Sequence, residues 1–371
     1  MNESSHLKHH LKKNDALQIL RAVAALLVVY AHSIDVVKKA ASPRQIHFYF
    51  LENFGACGVD IFFAISGFIL STTVLRMNPE TPRKPFDFIA RRYIRIFPIY
   101  WILSLVPFAL TIKRHQPWTQ LVYTSTLLLP SFTYPMLAPF LFLAWTLIFE
   151  MFFYYTLSFN LLFGLNRVIE RVILTIVLLI ALGSLIGLHH PVIVLISNPI
   201  NLEFVMGCTI ALAYQRFGHS TRIGNVLLVT GAVALGATIF LGYREADDAN
   251  YILNGALSWY RVARWGVPAA ILTAGVIFRP SEVRSALARL WVYLGDASYS
   301  IYLTSVITLM IYARFYRFVR HLPADINILL GAGLVTAVGA ANYSFLEKPV
   351  TRFVSDLYRR HGAPQARTSA W

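Results

Sequence analysis

Cysteine and charged side chains are both scarce in this chain. Only two of its 371 residues are cysteines, Cys57 and Cys208, and both lie in or beside apolar runs. We therefore expect no disulfide, and no Cys/His pattern has the spacing of a metal site. Charged residues make up 14% of the chain, against about 25% in soluble domains. This shortage excludes a large soluble domain, because too little polar surface remains to cover one.

Acidic residues are scarcer than basic ones, with 18 Asp and Glu against 33 Lys and Arg and a net charge of +15. In a soluble protein this excess would suggest nucleic acid as a partner. Here the basic residues cluster between long apolar runs, where membrane proteins carry them on the cytoplasmic side. We therefore predict no nucleic-acid partner and attribute the charge to membrane orientation.

Long apolar runs are abundant, and 57% of the residues are hydrophobic. Runs of about 20 apolar residues favour membrane-spanning helices, since the strands of a barrel would alternate. The sequence predicts an all-α fold, a polytopic membrane helix bundle of about ten transmembrane helices. The predicted spans are 17–37, 56–76, 94–112, 139–163, 171–188, 199–215, 223–242, 257–278, 296–313 and 325–345. The apolar stretch 118–130 is too short for a full crossing.

Charge bias predicts the orientation and the domain organisation. With ten spans and both termini cytoplasmic, most Lys and Arg residues fall on the cytoplasmic side, as the positive-inside rule requires. A crossing at 118–130 would weaken that bias. The prediction is a polar cytoplasmic tail over 1–16, a transmembrane domain over 17–350 and a cytoplasmic tail over 351–371.

Arg21 and His32 lie eleven residues apart inside the first predicted span. Ionisable residues within a membrane helix are costly and by default indicate function. At about 100° and about 1.5 Å per residue, the two side chains share one face and lie about 16 Å apart along the axis. We interpret them as two points on a ligand path, with Arg21 near the cytoplasmic surface and His32 deeper.

The basic segment 83–98 supplies a second candidate group. Arg92 and Arg95 lie three residues apart on one side of a helical turn, and Arg91 adds charge beside them. Arginine suits phosphate because its planar fork donates two hydrogen bonds at once. A plain topological role for these side chains is the alternative.

Glu150 lies near the middle of its predicted span, with Trp145 before it and Tyr154 four residues after it on the same face. A carboxylate in hydrocarbon must be neutral or paired, and Arg21 or His32 are the expected partners. Ser66 and the following Gly67 interrupt the second span with two small residues. They permit either close approach of another helix or a ligand beside the backbone. Asp296 and Glu347 are expected to be mainly structural.

Five segments of the chain resemble, in order, blocks of the integral-membrane acyltransferase family often called acyltransferase 3. They are LQILRAVAALLVVYAHS, FFAISGFIL, RRYIRIFPIYW, WTLIFEMFFY and GDASYSIYL, and together they extend over nearly the whole chain. The opening block looks most like that of exopolysaccharide O-acetyltransferases. The family's essential Arg and His fall on Arg21 and His32, its paired-Arg motif on Arg92 and Arg95, and the Glu of its fourth block on Glu150.

The resemblance implies transfer of an acyl group, usually acetyl, from acyl-CoA to a sugar hydroxyl of an exopolysaccharide, O-antigen or related glycan. Acetyl-CoA is then a substrate, and no permanently bound cofactor and no metal are expected. The implied location is the bacterial cytoplasmic (inner) membrane, with the lipid bilayer and the polysaccharide assembly machinery as partners. Many relatives carry a His after the fifth block, where this chain has Thr304 and Ser305, which leaves His32 to supply the proton chemistry.

In the expected mechanism Arg92 and Arg95, with Arg91, bind the donor phosphates, and Trp145, Tyr154 and Ser66 line the substrate path. His32 acts as general base or as nucleophile, and Glu150 orients it. Two other classes stay open from the residues alone. A glycolipid or small-solute transporter could use intramembrane Arg, His and Glu as a proton relay, although no internal repeat is visible. A non-catalytic partner in polysaccharide assembly would need none of these residues.

Overall fold

The protein is helical throughout the part of the chain that the structure, a computed structural model, describes. This part comprises residues 14–39, 46–77, 85–111, 118–131, 134–187, 190–241, 249–280 and 285–362, and no strand occurs in these ranges. The predicted all-α class is therefore confirmed. The polar tail predicted over 1–16 lies almost entirely outside the described residues.

Within these described ranges, thirteen helices, numbered here in chain order, carry the architecture. They are α1 Asp15–Val37, α2 Cys57–Leu75, α3 Pro85–Thr111, α4 Trp118–Leu127, α5 Trp145–Leu161, α6 Val168–Ile186, α7 Leu202–Phe217, α8 Thr221–Ala237, α9 Val267–Phe278, α10 Ala286–Asp296, α11 Ser298–Val319, α12 Ala324–Asn342 and α13 Lys348–Gly362. Shorter helical turns occur between some of them, including two π-helical turns at Val262–Gly266 and Tyr343–Glu347.

The membrane-spanning character predicted from hydropathy is confirmed. Eight helices of the described ranges are long and apolar enough to cross a bilayer, and the α10–α11 pair, bent by 68°, makes a ninth if it is one span. The predicted span 94–112 corresponds to the second part of α3, which contains Arg95 and is not among these eight helices. The stretch 118–130, predicted not to cross, forms only the ten-residue helix α4.

Close backbone approach holds α2 between its neighbours. A Cβ atom on Gly58 would lie 2.3 Å from the carbonyl oxygen of Ala24 in α1, and one on Gly67 would lie 2.2 Å from that of Phe204 in α7. Only glycine permits these crossings, because any side chain would clash with backbone. The small residues predicted to allow close approach in α2 therefore do so at Gly67, while the adjacent Ser66 points elsewhere.

Helices α1 and α12 run in opposite directions, so the start of α1 and the end of α12 lie on the same side of the bundle. The backbone N–H of His47, after α1, donates to Asp325 Oδ1 at the start of α12 at 3.1 Å. At the opposite end of these helices, Arg21 lies within electrostatic reach of Glu347. This arrangement agrees with an even number of crossings, and the cytoplasmic assignment of both termini stays a prediction.

The last helix is longer than a membrane crossing requires. α12, the π-helical turn and α13 run together over Ala324–Arg360, 37 residues or about 55 Å, against a hydrocarbon core of about 30 Å. α13 therefore projects beyond the membrane at the end where α1 begins. Part of the segment predicted as a tail over 351–371 is thus ordered helix, as far as Gly362.

Candidate functional site

An open cavity of about 840 Å³, a volume that includes the solvent space at its mouth, lies between α1, α2, α3, α5 and α11. Its walls are largely apolar and include Val59, Phe62 and Phe63 of α2 and Ile96 of α3. Such a chamber inside a membrane bundle suits a long, mostly uncharged ligand. Its polar groups, which include Arg21, Arg92, Arg95 and Glu150, come from residues far apart in sequence.

Three arginines converge on this cavity. Arg21 of α1 lines it together with Arg92 and Arg95 of α3. Arg92 lies 5.5 Å from the centre of the Phe88 ring, measured from its guanidinium carbon, and Arg21 Nη1 donates to Gln18 Oε1 at 3.4 Å. The structure therefore brings Arg21 to the predicted Arg pair, and the three positive charges make one end of the cavity suitable for an anion.

Glu150 faces the same cavity from α5 and has two hydroxyl partners. Tyr154, one turn later, donates its O–H to Glu150 Oε1, and Ser66 Oγ donates to the same oxygen at 3.3 Å. The shared face predicted for Glu150 and Tyr154 is thus observed, and all three residues line the cavity. The expected contact between Glu150 and His32 is not formed, because the two lie on different parts of the bundle.

His32 lies outside the cavity lining, beyond its inner wall along α1. Its Nδ1 is 3.3 Å from Asp35 Oδ2, and its side chain is 29% exposed. Val28, one turn before it, packs in the same apolar cluster as the cavity-lining residues Val59 and Phe63. Because α1 is continuous from Asp15 to Val37, Arg21 and His32 do share one face, with the cavity at the arginine end only.

A charged network surrounds Asp35. Lys38 Nζ lies 2.9 Å from Asp35 Oδ1 and also contacts Glu52. Partial burial alone would lower the pKa of Lys38, but the hydrogen bonds to Glu52 and Asp35 outweigh burial and raise it above its ordinary value. Lys38 therefore stays positively charged and helps to hold Asp35 as an anion beside the imidazole of His32.

The other predicted site residues lie at the edges of this arrangement. Trp145 is 4% exposed, packs against the Phe149 ring and does not line the cavity. Arg91 Nε donates to Asp87 Oδ2 at 3.0 Å and faces a second, smaller cavity. Trp145 therefore supports the wall of the cavity. Arg91 projects from a different side of α3 than the predicted Arg92–Arg95 pair.

Two further polar groups lie among the described residues outside the cavity lining. Glu347, expected to be structural, accepts a hydrogen bond of 2.5 Å from Ser300 Oγ, which also accepts one of 2.8 Å from Asn342 Nδ2. It lies within electrostatic reach of Arg95 and Arg21. The signal available in the sequence was a carboxylate at the end of an apolar run.

The second group is a buried ion pair behind α2. Arg261 Nη2 lies 2.7 Å from Asp60 Oδ2, and both side chains are almost completely buried. Glu203, also fully buried, lies beside both, and neither of its carboxyl oxygens makes a hydrogen bond with any described residue. The sequence analysis did not single out Arg261, because nothing local to it indicates its partner.

In the described ranges, no group of three or more His, Cys, Asp or Glu side chains is placed to hold a metal ion. Cys57 and Cys208 are both buried free thiols. The site is therefore a three-arginine cavity with one carboxylate, and a His–Asp pair further along the same helix.

Comparison with known proteins identifies the class of this chain. Residues 14–342 match the acyltransferase domain family, so the chain belongs to this family and is a membrane-embedded acyltransferase. It is similar to the exopolysaccharide production protein ExoZ of Rhizobium meliloti (strain 1021), with 30% identity over 330 residues, or 84% of this chain and 93% of that protein.

A shorter similarity links it to an O-acetyl transferase of Shigella phage Sf6. This match has 33% identity over 97 residues, covering 26% of this chain and 25% of that protein. No solved structure matches the chain. The family resemblance predicted from the five sequence blocks is therefore confirmed.

Proposed function

We propose that this acyltransferase moves an acetyl group from acetyl-CoA to a sugar hydroxyl of an exopolysaccharide or a related glycan. The observation that carries the proposal is the cavity in which Arg21, Arg92 and Arg95 meet at one end of an apolar chamber. An acyl-CoA has the matching shape, because a polyanionic nucleotide is joined to a long arm with little charge. The names of the two relatives support acetyl as the group and exopolysaccharide as the acceptor.

Arginine recognition explains how the donor is oriented. Guanidinium forks bind phosphate oxygens with paired hydrogen bonds, so Arg92 and Arg95 hold the phosphates at the cavity mouth. Arg21 lies beyond them, where it guides the arm into the chamber. Glu150 and Glu347 keep the empty cavity from accumulating uncompensated charge, which would be costly inside a membrane.

The acceptor hydroxyl requires a base, and this proposal gives the role to His32. Because His32 lies beyond the inner wall of the cavity, the thioester end of the donor must extend past that wall to react. Asp35 accepts from Nδ1 of the imidazole, which directs Nε2 outward as the proton acceptor. The hydroxyl oxygen attacks the thioester carbonyl, its proton passes to His32, and the sulfur leaves as the thiolate of CoA. Asp35 thus takes the orienting role that the sequence analysis gave to Glu150.

The proposal also specifies where the reaction takes place. Acyl-CoA is cytoplasmic, and the Arg92–Arg95 end of the bundle is the end that carries the basic segments of the positive-inside pattern. We therefore assign the protein to the bacterial cytoplasmic (inner) membrane with both termini inside. The glycan acceptor and the machinery that assembles it are its partners.

Acetyl transfer by the purified protein tests the proposal. Radiolabelled acetyl-CoA and candidate glycans are incubated with wild type, with His32→Ala and with the double variant Arg92→Ala/Arg95→Ala. Arg314→Ala/Arg320→Ala removes two exposed arginines elsewhere and is the matched control.

We expect wild type and the control to label the glycan, His32→Ala to be inactive, and the Arg92/Arg95 variant to need much more donor. Full activity of His32→Ala would overturn the assigned base. A wild type that transfers no label but moves protons with a solute across liposomes would replace the enzyme with a carrier.

A further inference from the structure

The segment between α1 and α2 carries two exposed aromatic rings, Phe48 and Phe50, called here the aromatic pair. Phe48 is 53% exposed and Phe50 is 43% exposed. Their ring centroids lie 6.3 Å apart, and the ring planes are inclined at 68°. Neither ring lines the central cavity or takes part in the proposed chemistry, so the pair is a surface feature that needs an explanation of its own.

The neighbours of the aromatic pair face the opposite way. Tyr49 and Leu51 pack against the apolar cluster that Ile34 and Val37 of α1 form with Ile328 of α12. Because these alternate side chains pack inward, Phe48 and Phe50 are held outward on one face of the segment. The two rings are therefore presented by the packing of their neighbours.

Polar contacts fix this segment at both of its ends. At one end the backbone N–H of His47 donates to Asp325 Oδ1 at 3.1 Å, and the His47 ring nitrogen Nδ1 lies 2.5 Å from Asp325 Oδ2. At the other end Glu52 contacts Lys38 Nζ. A surface that is already held in place loses little freedom when it binds a ligand, so the aromatic pair is suited to recognition.

The contact of Glu52 also leads from the aromatic pair to the proposed base. Lys38 Nζ lies 2.9 Å from Asp35 Oδ1, and Asp35 Oδ2 lies 3.3 Å from His32 Nδ1. Phe50 is two residues from Glu52, at most about 7 Å along the chain. The side chains of His32 and Asp35 are 29% and 40% exposed. A ligand on the aromatic pair is therefore bound at the end of α1 where the imidazole is accessible.

Aromatic rings beside carboxylates suit a sugar better than a lipid. The C–H face of a sugar ring packs on an aromatic face, and its hydroxyl groups donate to carboxylate oxygens. Asp35 and Glu52 supply such oxygens, with side chains 40% and 11% exposed. A lipid chain would also cover the rings, but it would take water from these carboxylates without replacing the lost hydrogen bonds.

We propose that Phe48 and Phe50 form the binding surface for the glycan acceptor, which reaches His32 from the end of the bundle opposite to the three arginines. The proposal rests on the proposed function, because it presumes a glycan acceptor and His32 as the base. The chemical step is unchanged: the acceptor hydroxyl forms the ester, its proton passes to His32, and CoA leaves as the thiolate. Donor and acceptor then enter from opposite sides of the membrane.

Acceptor kinetics test the aromatic pair. Oligosaccharides from a chemically deacetylated exopolysaccharide are supplied with acetyl-CoA to wild type, Phe48→Leu/Phe50→Leu and Phe48→Trp/Phe50→Trp. Phe240→Leu is the matched control, because Phe240 is 90% exposed in the turn after α8. The Leu variant keeps apolar side chains but lacks both rings, so we expect its KM for the oligosaccharide to rise about tenfold or more.

The other kinetic constants separate recognition from a merely structural role. In the Leu variant kcat and the KM for acetyl-CoA should stay unchanged. The Trp variant, which keeps aromatic faces, and Phe240→Leu should keep the wild-type KM for the oligosaccharide. A wild-type oligosaccharide KM in Phe48→Leu/Phe50→Leu would overturn the proposal, because a membrane anchor needs apolar side chains whereas a sugar platform needs rings.

A binding measurement makes the result independent of turnover. His32→Ala removes the proposed base but keeps the aromatic pair, so it should bind the fluorescently labelled oligosaccharide as wild type does. His32→Ala/Phe48→Leu/Phe50→Leu should bind it at least about tenfold more weakly. Equal binding by the two variants would contradict the assignment.

Sealed inside-out membrane vesicles test the side of entry. Acetyl-CoA is supplied outside the vesicles, which is the cytoplasmic side, and the oligosaccharide is either enclosed in the lumen or added outside. We expect only the enclosed oligosaccharide to be labelled. Labelling of oligosaccharide added outside would place the acceptor on the donor side and overturn the proposed route.

The outcomes separate this proposal from the proposed function. If wild type labels the oligosaccharide but the Leu variant has the same acceptor KM, the aromatic pair is not the acceptor surface and the proposed function still stands. If wild type labels no glycan, both are wrong.

Discussion

The buried ion pair between Asp60 and Arg261 allows a quantitative prediction about stability. Arg261 donates to Asp60 Oδ2 at 2.7 Å from Nη2 and to Oδ1 at 3.2 Å from Nε, and Nη2 also donates to the carbonyl oxygen of Ala56 at 3.1 Å. Arg261→Met removes all three bonds and leaves two carboxyl groups, Asp60 and Glu203, in the bundle. Removing one partner of a buried pair costs about 3–5 kcal/mol.

Because of Glu203, replacing Asp60 should cost less stability than replacing Arg261. In Asp60→Asn the guanidinium of Arg261 still has Glu203 nearby, and this carboxyl can ionise to replace the lost charge. We therefore expect Asp60→Asn to cost only about 1–2 kcal/mol, the range for one imperfectly replaced hydrogen bond. Asp60→Asn/Glu203→Gln removes both carboxylates, so its cost should return to about 3–5 kcal/mol. Asp60→Asn/Arg261→Met should be more stable than Arg261→Met alone.

Thermal unfolding of the purified protein in detergent measures the order of stability among these variants. The half-life at a fixed temperature is the appropriate quantity, because membrane proteins commonly unfold irreversibly. Arg320→Met, which changes an exposed arginine, is the matched control and should behave like wild type. Equal decreases in half-life for Asp60→Asn and for Asp60→Asn/Glu203→Gln would refute the role of Glu203. An Arg261→Met variant as stable as wild type would refute the stabilising role of the ion pair.

Three further predictions concern packing, donor binding and the base. Gly67→Ala should destabilise the protein by about 2 kcal/mol or more in the same unfolding assay, because the new Cβ would clash with the backbone of α7. Gly333→Ala is the control and should leave stability unchanged, because its Cβ would meet open space. Arg95→Lys should raise KM for acetyl-CoA about tenfold with kcat nearly unchanged, because lysine cannot bind phosphate bidentately; an equal fall in kcat would contradict a binding role. Asp35→Asn should lower kcat by about tenfold or more with the donor KM preserved; wild-type kcat would show that His32 needs no orienting carboxylate.

Local periodicity predicted much of the site from single helices. Arg92 and Arg95 do face one cavity, and Tyr154 does meet Glu150, because residues three or four apart on a helix share a face whatever surrounds it. The position of Ser66 in the cavity could likewise be predicted, because small residues interrupt an apolar helix there. The same reasoning failed for Glu150 and His32, since proximity between residues of different helices depends on packing that no single helix specifies.

The sequence by itself determined that this is an all-α membrane protein of the acyltransferase family. Long apolar runs can satisfy their backbone groups in lipid only as helices, and the family's blocks are continuous stretches of chain. The tertiary structure decided which polar groups meet: Glu150 with Ser66, His32 with Asp35, and Asp60 with Arg261. It also placed the projecting helix α13 beside Arg91. These pairings are set by helix crossings at close backbone contacts such as Gly67, and a crossing is a property of two surfaces, which neither segment carries alone.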